Sequence, residues 1–398
     1  MNDKEKTIGA IVTYPEKGEK HSNFSGIAGY TKNLLLGLGN DQRNEIVVFS
    51  NIKNGVKAFV DEGIEVNECW HRGSLGFVKE LMLEIKKYPK LKTIHLQHEF
   101  NLFGQSASIL FFLLLLRRLH DSGIKVVVTF HGIVSQRDIN QQFNQISQLS
   151  LPVFLVKYLF KFVFVSGARF IDKVIVHEEY FKRVLVDEYG YREETVKVIF
   201  HGVEELKLQD TQEEARKELK IGSDKKVLLF FGFLAGYKGV NLLLDAFEKL
   251  DKAEYVLIIA GGKPKRVEND MKYIEWYNRI EDRIKIIPNI IRVGFVPDDL
   301  VSLYFNAADV LILPYLFMLS ASGPMSFAIG YRKPFLASDA FREVLSKELI
   351  FKREPSDLLQ KVEEFFENKE IVGNIIENMK EQRLWEKVGN ETYKLIQE

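Results

Sequence analysis

Short apolar runs alternate with amphipathic stretches along most of the chain. Runs such as Ile8–Tyr14, Thr93–His98 and Lys125–Phe130 have the length and composition of strands buried on both faces. Between these runs, apolar residues recur at helical spacing. This alternation predicts parallel sheets with helices on both faces, in which ligands bind beyond the carboxyl ends of the strands.

The alternating pattern restarts once. Residues 204–226 contain few large apolar residues and many charges, and a second series of strands and helices begins at Val227. A chain of 398 residues is longer than a single domain built on one hydrophobic core usually is, so two domains are expected. We therefore predict an α/β protein with two doubly wound, Rossmann-like domains that face a central cleft. The first covers residues 1–205 and the second begins at residue 206.

Two glycine-rich segments of the second series are candidates for phosphate binding. The strand Val227–Phe231 leads into a turn that contains Gly232, Lys238 and Gly239, and a helix follows. Backbone N–H groups at a helix start attract phosphate, and a lysine adds a full positive charge. An ordinary turn with a surface lysine is the alternative. The strand predicted over 255–260 ends at Gly262, which we expect at the same edge of the sheet.

The second of these segments precedes a helix predicted over Met325–Tyr331. Ser320, Ser322 and Gly323 lie before it, and Pro324 suits its first position. A lysine together with a helix N-terminus would stabilise a diphosphate leaving group, because negative charge grows on that group as its bond breaks. A further strand is predicted over 285–287.

Several strands of the first series have a histidine or a glycine at the carboxyl end. Gly26 and Gly29 form a predicted glycine loop that would let a ligand approach the backbone, and His131 and His201 each stand before a glycine at a strand end. His131 could donate to a sugar hydroxyl or to the reacting centre. His95 lies inside its strand and is expected to be structural, whereas His98 and His177 could be structural or functional.

Composition and charge exclude several classes. Lys+Arg and Asp+Glu are both 55, so no net charge draws the whole molecule to nucleic acid. A single cysteine, Cys69, rules out an internal disulfide and suits a reducing cytoplasm. The longest apolar run, Ile109–Leu116, is too short to span a bilayer, and the N-terminus resembles a first strand rather than a signal peptide.

Several well-known catalytic motifs are also absent from the sequence. The sequence has no HExxH, no cysteine cluster and no DxD at a strand end, so no bound metal is expected, and no other cofactor. It also lacks the GxSxG of serine hydrolases and the GxGxxG of nicotinamide enzymes.

Residues 149–170 are densely apolar, with Lys157 and Lys161 one helical turn apart. One interpretation is a helix buried between layers with its lysines at the rim. The other is a helix that lies on a membrane surface, which needs a large apolar face beside basic residues. The second interpretation would place the protein at the inner face of the membrane.

Eight segments, in order along nearly the whole chain, resemble motifs of the family 4 glycosyltransferases, which have the GT-B fold. These segments are Ser25–Tyr30, Thr129–Gly132, Ile199–Val203, Phe231–Gly239, Gly294–Pro297, Ala307–Tyr315, Ala328–Ser338 and Trp385–Val388. The resemblance implies a retaining, metal-independent hexosyltransferase that uses a UDP- or GDP-linked sugar. It also implies that a last helix, over 376–398, crosses back onto the first domain.

The chain departs from the family pattern at three positions. Phe233 replaces the usual arginine of the turn, and the two acids of the family's E-x7-E motif are replaced by Leu319 and Phe327. A subset of the family has a serine-glycine segment in that place and a stretch like Gln97–Gly104, and this chain resembles that subset. The expected acceptor is a glycan, a lipid-linked saccharide or a small molecule. A sugar phosphorylase and a non-catalytic partner protein with the same fold are the alternatives.

Overall fold

The computed structural model describes residues 6–19, 26–53, 55, 58–99, 102–104, 108–146, 149, 151–208, 210–264, 270–318 and 322–398. Backbone contacts divide the chain into two compact units. Unit 1 extends from the N-terminus to Gly202 and includes Trp385–Glu398. Unit 2 contains Val203–Met318 and Ser322–Leu384.

Unit 1 is built on an eight-stranded sheet. Its strands are Ile8–Ile11 (β1), Ile46–Asn51 (β2), Ala58–Asp61 (β3), Ile64–Trp70 (β4), Thr93–His98 (β5), Lys125–Phe130 (β6), Lys173–Val176 (β7) and Val196–Val198 (β8). Its first seven helices are Gly26–Leu36 (α1), Asn40–Asn44 (α2), Phe77–Ile85 (α3), Ser108–Asp121 (α4), Gln141–Ile146 (α5), Val153–Gly167 (α6) and Glu179–Tyr189 (α7).

The strand order in unit 1 is β3-β4-β2-β1-β5-β6-β7-β8. All neighbouring pairs are parallel except the β3–β4 pair, which is antiparallel. The strand order reverses at β1, which pairs with β2 on one side and β5 on the other. The strands β5 to β8 then follow one another across the sheet, so their carboxyl ends form one continuous edge.

Unit 2 has a six-stranded parallel sheet in the order β11-β10-β9-β12-β13-β14. Its strands are Lys226–Phe231 (β9), Tyr255–Ala260 (β10), Ile290–Gly294 (β11), Val310–Leu313 (β12), Phe335–Ser338 (β13) and Ile350–Phe351 (β14). Its helices are Gln212–Glu218 (α8), Val240–Phe247 (α9), Met271–Ile286 (α10), Val301–Ala307 (α11), Gly323–Gly330 (α12), Pro355–Glu367 (α13) and Lys369–Arg383 (α14). The strand order reverses at β9, between β10 and β12.

The last helix, Trp385–Gln397 (α15), belongs to unit 1. It begins later than the predicted residue 376, because α14 runs to Arg383 and Leu384 is then extended, with φ −60° and ψ 137°. Leu384 forms a parallel bridge with Val203 inside unit 2. Unit 1 correspondingly ends at Gly202 rather than at residue 205.

Two predictions about local structure are wrong, and one of the two interpretations of residues 149–170 is excluded. The strand predicted over 285–287 falls on the end of α10, and β11 lies just after it, because a short apolar run does not separate a buried helix turn from a strand. Gly26 and Gly29 lie in the first turns of α1, not in a loop. The helix α6 is not buried between layers, since much of its apolar surface is exposed.

Candidate functional site

Gly232 and Lys238 lie together at the carboxyl end of β9, where the strand order of unit 2 reverses. Gly232 has φ +100°, a conformation that favours glycine. A Cβ placed on Gly232 would lie 2.7 Å from Nζ of Lys238 and 3.1 Å from Cγ of Pro324. Lys238 is only 7% exposed. The missing side chain of Gly232 therefore makes room for the buried ammonium group, and the point of strand reversal is where ligands of such sheets bind.

The backbone at Gly239 holds this turn close to the next strand of the sheet. Gly239 has φ +68° and stands immediately before α9. A Cβ on it would come within 1.8 Å of the carbonyl oxygen of Pro314, which follows β12. Tyr315, the next residue, has its ring centroid 5.8 Å from Nζ of Lys238. Glycine is thus required here by both backbone conformation and close approach.

The N-terminus of α12 lies at the same place. Ser322 caps this helix and accepts a hydrogen bond from the backbone N–H of Met325 at 3.3 Å, and Pro324 occupies the first turn. The hydroxyl groups of Ser322 and Tyr315 are 3.1 Å apart. The structure therefore brings together Lys238, Gly232, Gly239, Ser322 and Gly323. The predicted site residue Ser320 lies outside the described residues.

Gly262 borders this region on the β10 side. It follows β10, and a Cβ on it would lie 3.2 Å from Cβ of Phe295, which follows β11. Phe295 and Phe233 are 64% and 44% exposed, and their rings stack with centroids 6.5 Å apart. Of this exposed aromatic pair, Phe233 stands at the position of the arginine in the family motif that the turn resembles.

In unit 1, four neighbouring strands each carry a histidine at the carboxyl end. His98 is the last residue of β5 and His131 directly follows β6, with its N–H donating to the carbonyl of His98 at 3.0 Å. His177 directly follows β7, and His201 comes shortly after β8. The topology therefore gathers residues that lie far apart in the sequence. We call these four residues the histidine edge.

Hydrogen bonds link part of the histidine edge into a chain. Nδ1 of His177 donates to the carbonyl of Ile199 at 2.9 Å, and its Nε2 lies 3.2 Å from Nδ1 of His131. Nε2 of His131 lies 2.6 Å from the side-chain Oε1 of Gln97. The chain continues from Gln97 to His95, whose Nε2 is 2.7 Å from the hydroxyl of Thr129. Both ring nitrogens of His131 thus have protein partners.

Burial determines whether the histidines of this hydrogen-bond chain carry a charge. It holds the pKa of His131 well below its ordinary value, and the neighbouring histidines lower that pKa further. Burial also lowers the pKa of His95 to about 4 and that of His98 to about 3. These three rings are therefore neutral at pH 7.

Tyr30 of α1 lies at the centre of the histidine edge. Its ring centroid is 4.5 Å from that of His131, 4.9 Å from that of His201 and 5.4 Å from that of His177. Trp385 of α15 contacts the same tyrosine, with centroids 5.0 Å apart. A Cβ on Gly202 would come within 2.1 Å of the Trp385 ring, so this glycine makes room for the indole.

Several of these residues were not predicted to be part of a site. Gln97, Tyr30, Tyr315 and Trp385 appeared only within motifs, and His177 was left undecided. One signal could have found His177: each of the successive strands β5 to β8 has a histidine at or just after its carboxyl end in the sequence. His95 bonds inside the sheet, as the structural interpretation expected. Gly29 is buried within α1, and the helical backbone of Gly26 and Gly29 does not form the predicted loop.

Among the residues that the structure describes, no group of three or more His, Cys, Asp or Glu side chains is arranged to hold a metal ion. Within the same part of the chain, no helix is both long and apolar enough to cross a membrane.

Two parallel α/β units with these connections define the GT-B class, and solved structures agree. Sucrose-phosphate synthase from Thermosynechococcus elongatus superposes with a TM-score of 0.74 at 15% identity, over 98% of each chain. Anabaena Alr3699/HepE, solved in complex with UDP-glucose, superposes with a TM-score of 0.68 at 15% identity, over 98% of this chain and 99% of that one. At these identities the likeness establishes the fold alone.

Two family descriptions match the sequence itself. Residues 24–205 match Glycosyltransferase Family 4, and residues 211–382 match Glycosyl transferases group 1. The chain is also 27% identical over 165 residues to YtcC, a proposed glycosyltransferase of Bacillus subtilis strain 168. That match spans 38% of this chain and 40% of the relative. The protein belongs to the family 4 glycosyltransferases.

Proposed function

We propose that the protein is a retaining glycosyltransferase that moves a hexosyl group from a nucleotide-linked sugar to a saccharide, lipid-linked or small-molecule acceptor. The observation that carries this proposal is the meeting of Lys238, Gly232 and the start of α12 at the strand reversal of unit 2. Solved structures with the same fold hold UDP or UDP-glucose, which supports a uridine donor ahead of a guanosine one.

Lys238 and the α12 N-terminus act on the leaving group. When the bond between the sugar C1 and the diphosphate oxygen breaks, negative charge grows on the diphosphate. A fixed ammonium group and the positive end of the α12 helix dipole stabilise that charge without reorganising. These groups supply the positive potential that a divalent cation supplies elsewhere, so we propose that transfer needs no bound metal. The acceptor oxygen bonds to C1 on the face that the diphosphate leaves, and the hydroxyl proton passes to the departing diphosphate oxygen.

His131 acts on the sugar. Because both of its ring nitrogens have partners, contact with a sugar hydroxyl requires an exchange of the Gln97 bond for a bond to the sugar. Gly26, Gly29 and His201 remain proposed donor-side residues, together with Gly262. We place the reaction in the cytoplasm, at the inner face of the membrane.

A sugar phosphorylase is the second candidate, because the site differs from the family pattern. Phe233 provides no guanidinium. Phe327 stands where the family has an acid, and its ring packs among Phe231, Phe305 and Tyr331. A site that keeps the phosphate-binding lysine without the ribose carboxylate could bind inorganic phosphate alone.

A thermal-shift series with UDP, GDP, ADP, their sugar conjugates and inorganic phosphate separates the candidates, since a ligand that binds the native state raises Tm by mass action. A rise with UDP and UDP-sugars supports the transferase. A rise with phosphate alone replaces it with the phosphorylase, and no rise with any of them favours a non-catalytic partner protein. Transfer measured with and without a chelator tests metal independence, and the anomeric configuration of the product tests retention.

A further inference from the structure

The helix α6 presents an unusually large apolar surface to solvent. Phe154 and Tyr158 are 68% and 66% exposed, and Phe162 is 43% exposed. The rings of Tyr158 and Phe162 stack with centroids 6.5 Å apart. We call this surface the α6 face. Its exposed apolar residues are Leu151, Phe154, Leu155, Tyr158, Leu159, Phe162 and Val165.

The exposed residues form one continuous stripe along the helix. At 3.6 residues per turn, positions 154, 155, 158, 159, 162 and 165 cover an arc of about 140°. The opposite side holds Val156, Val163, Phe164 and Gly167, which are buried against unit 1. The packing of unit 1 is therefore complete without the α6 face, so these exposed side chains are not needed for its core.

Basic side chains line one edge of the α6 face. On the same projection Lys157 and Lys161 fall beside Phe154 and Val165, and Lys161 is exposed. The sequence has no Asp or Glu between Asp138 and Asp172, whereas Lys157, Lys161 and Arg169 all lie in that interval. The adjacent helix α4 packs on α6 at Gly167 and exposes Leu114 and Arg118.

We propose that the α6 face lies on a membrane surface that contains anionic phospholipid. Bulky apolar and aromatic side chains beside lysines are the combination that seats a helix at the boundary of headgroups and acyl chains. The lysines attract anionic headgroups, whereas two copies of this surface would bring like charges together. At 15 residues the helix is too short to cross the bilayer. This inference deepens the proposed location at the inner face of the membrane and is independent of the donor.

Vesicle flotation of the purified full-length protein tests the proposal. We expect the protein to float with phosphatidylcholine vesicles that contain phosphatidylglycerol, and to float less at high salt. A triple variant, Phe154→Ser with Tyr158→Ser and Phe162→Ser, should bind at least about tenfold more weakly, because each change removes an exposed apolar group. Lys157→Glu with Lys161→Glu should remove the preference for anionic over neutral vesicles.

Matched variants in unit 2 provide the controls. Met271→Ser, Ile286→Ser and Ile371→Ser change side chains that are 67%, 79% and 52% exposed. Lys249→Glu with Lys272→Glu gives the same charge change as the lysine pair on α6. Both sets should float like the wild type. The Tm and the UDP thermal shift of every variant, measured without vesicles, show whether folding and nucleotide binding survive.

Two results would overturn the proposal. Flotation by the triple variant equal to that of the wild type would show that the α6 face is not the contact. A wild type that forms a dimer by light scattering and does not float, with a monomeric triple variant, would identify a second copy as the occupant. Neither result bears on glycosyl transfer in solution, so the two proposals fail separately.

Discussion

The carboxyl-terminal edges of the two sheets carry different chemistry. In unit 1, four successive strands have a histidine at or just after the carboxyl end. His131 is buried and neutral beside Tyr30, and His95 and His98 are also buried and neutral. In unit 2, glycines with left-handed backbone surround one buried ammonium group, that of Lys238. The first edge suits uncharged hydroxyl groups and the second suits an anion.

Because of this difference, we expect the two edges to respond to different stresses. A chain of neutral histidines is sensitive to acid, because protons must enter a buried network. The Lys238 ammonium group lies beside glycines, so it is instead sensitive to side-chain volume added at those positions. Four predictions follow from this difference.

Removing the charge at Lys238 should have the largest effect. Lys238→Met keeps most of the side-chain volume but no longer stabilises the leaving diphosphate, so we expect transfer to fall about 10²- to 10³-fold, roughly 3–4 kcal/mol in the barrier. Lys249→Met, which changes an exposed lysine of the same unit, should leave kcat unchanged. A Lys238→Met enzyme with near wild-type kcat would remove this residue from the mechanism.

Acid should destabilise unit 1 before unit 2. A histidine with a lowered native pKa costs stability as the pH falls below its unfolded value of about 6.5, because the unfolded chain then binds more protons. Each such group contributes about 1.4 kcal/mol per pH unit until its native pKa is reached. With pKa values of about 4 for His95 and about 3 for His98, the loss extends from pH 6.5 to at least pH 4.

This loss of stability can be measured by amide hydrogen exchange between pH 7 and pH 5, with the rates corrected for intrinsic exchange. The strands to compare are β5 to β7 in unit 1 and β9 to β12 in unit 2. The first group of strands should lose protection more steeply. His95→Gln should reduce the difference, whereas His71→Gln, at an exposed position, should not change it. Equal loss in both sheets would contradict the contrast between the two edges.

Gly232→Ala should have an intermediate effect. The new Cβ would lie 2.7 Å from Nζ of Lys238 and would sit on backbone with φ +100°, so the ammonium group must move. We expect UDP to bind about tenfold more weakly, with a stability loss on the order of 1–2 kcal/mol from backbone strain. Gly190→Ala introduces similar strain at φ +72° with no atom within 4 Å, and it should lower Tm without changing UDP affinity. Equal UDP affinity in both variants would show that the space at Gly232 is not needed.

The sequence predicted much of this contrast. Strand and helix alternation predicted the two parallel α/β units, and the glycine-lysine turn and the serine-glycine segment were predicted to meet in unit 2. These features depend on local spacing and on the rule that parallel strands end at one edge. The hydrogen-bond chain through Gln97, His131 and His177 could not be predicted, because it depends on which strands are neighbours and on the rotamers of buried side chains.

The exposure of α6 likewise could not be predicted from the sequence alone. An apolar run alone does not distinguish a buried helix from a surface helix, and the prediction left both interpretations open. Only the packing of Val156, Val163 and Phe164 on one side shows that the other side remains exposed. Likewise, the last helix was placed too early because the break at Leu384 has no proline or glycine to mark it.

The smallest effect should come from returning an arginine to the turn at Phe233. This side chain is 44% exposed and lies between Gly232 and the Lys238 turn, so a guanidinium there could reach a bound diphosphate. Because solvent screens an exposed ion pair to about 0.2–1 kcal/mol, Phe233→Arg should tighten UDP binding only about two- to fivefold by calorimetry. Ile286→Arg adds the same charge at a remote position that is 79% exposed, and it should have no effect. If Phe233→Arg gains no more than this control, the diphosphate does not pass the Phe233 position, and the anion site of unit 2 is confined to Lys238 and the start of α12.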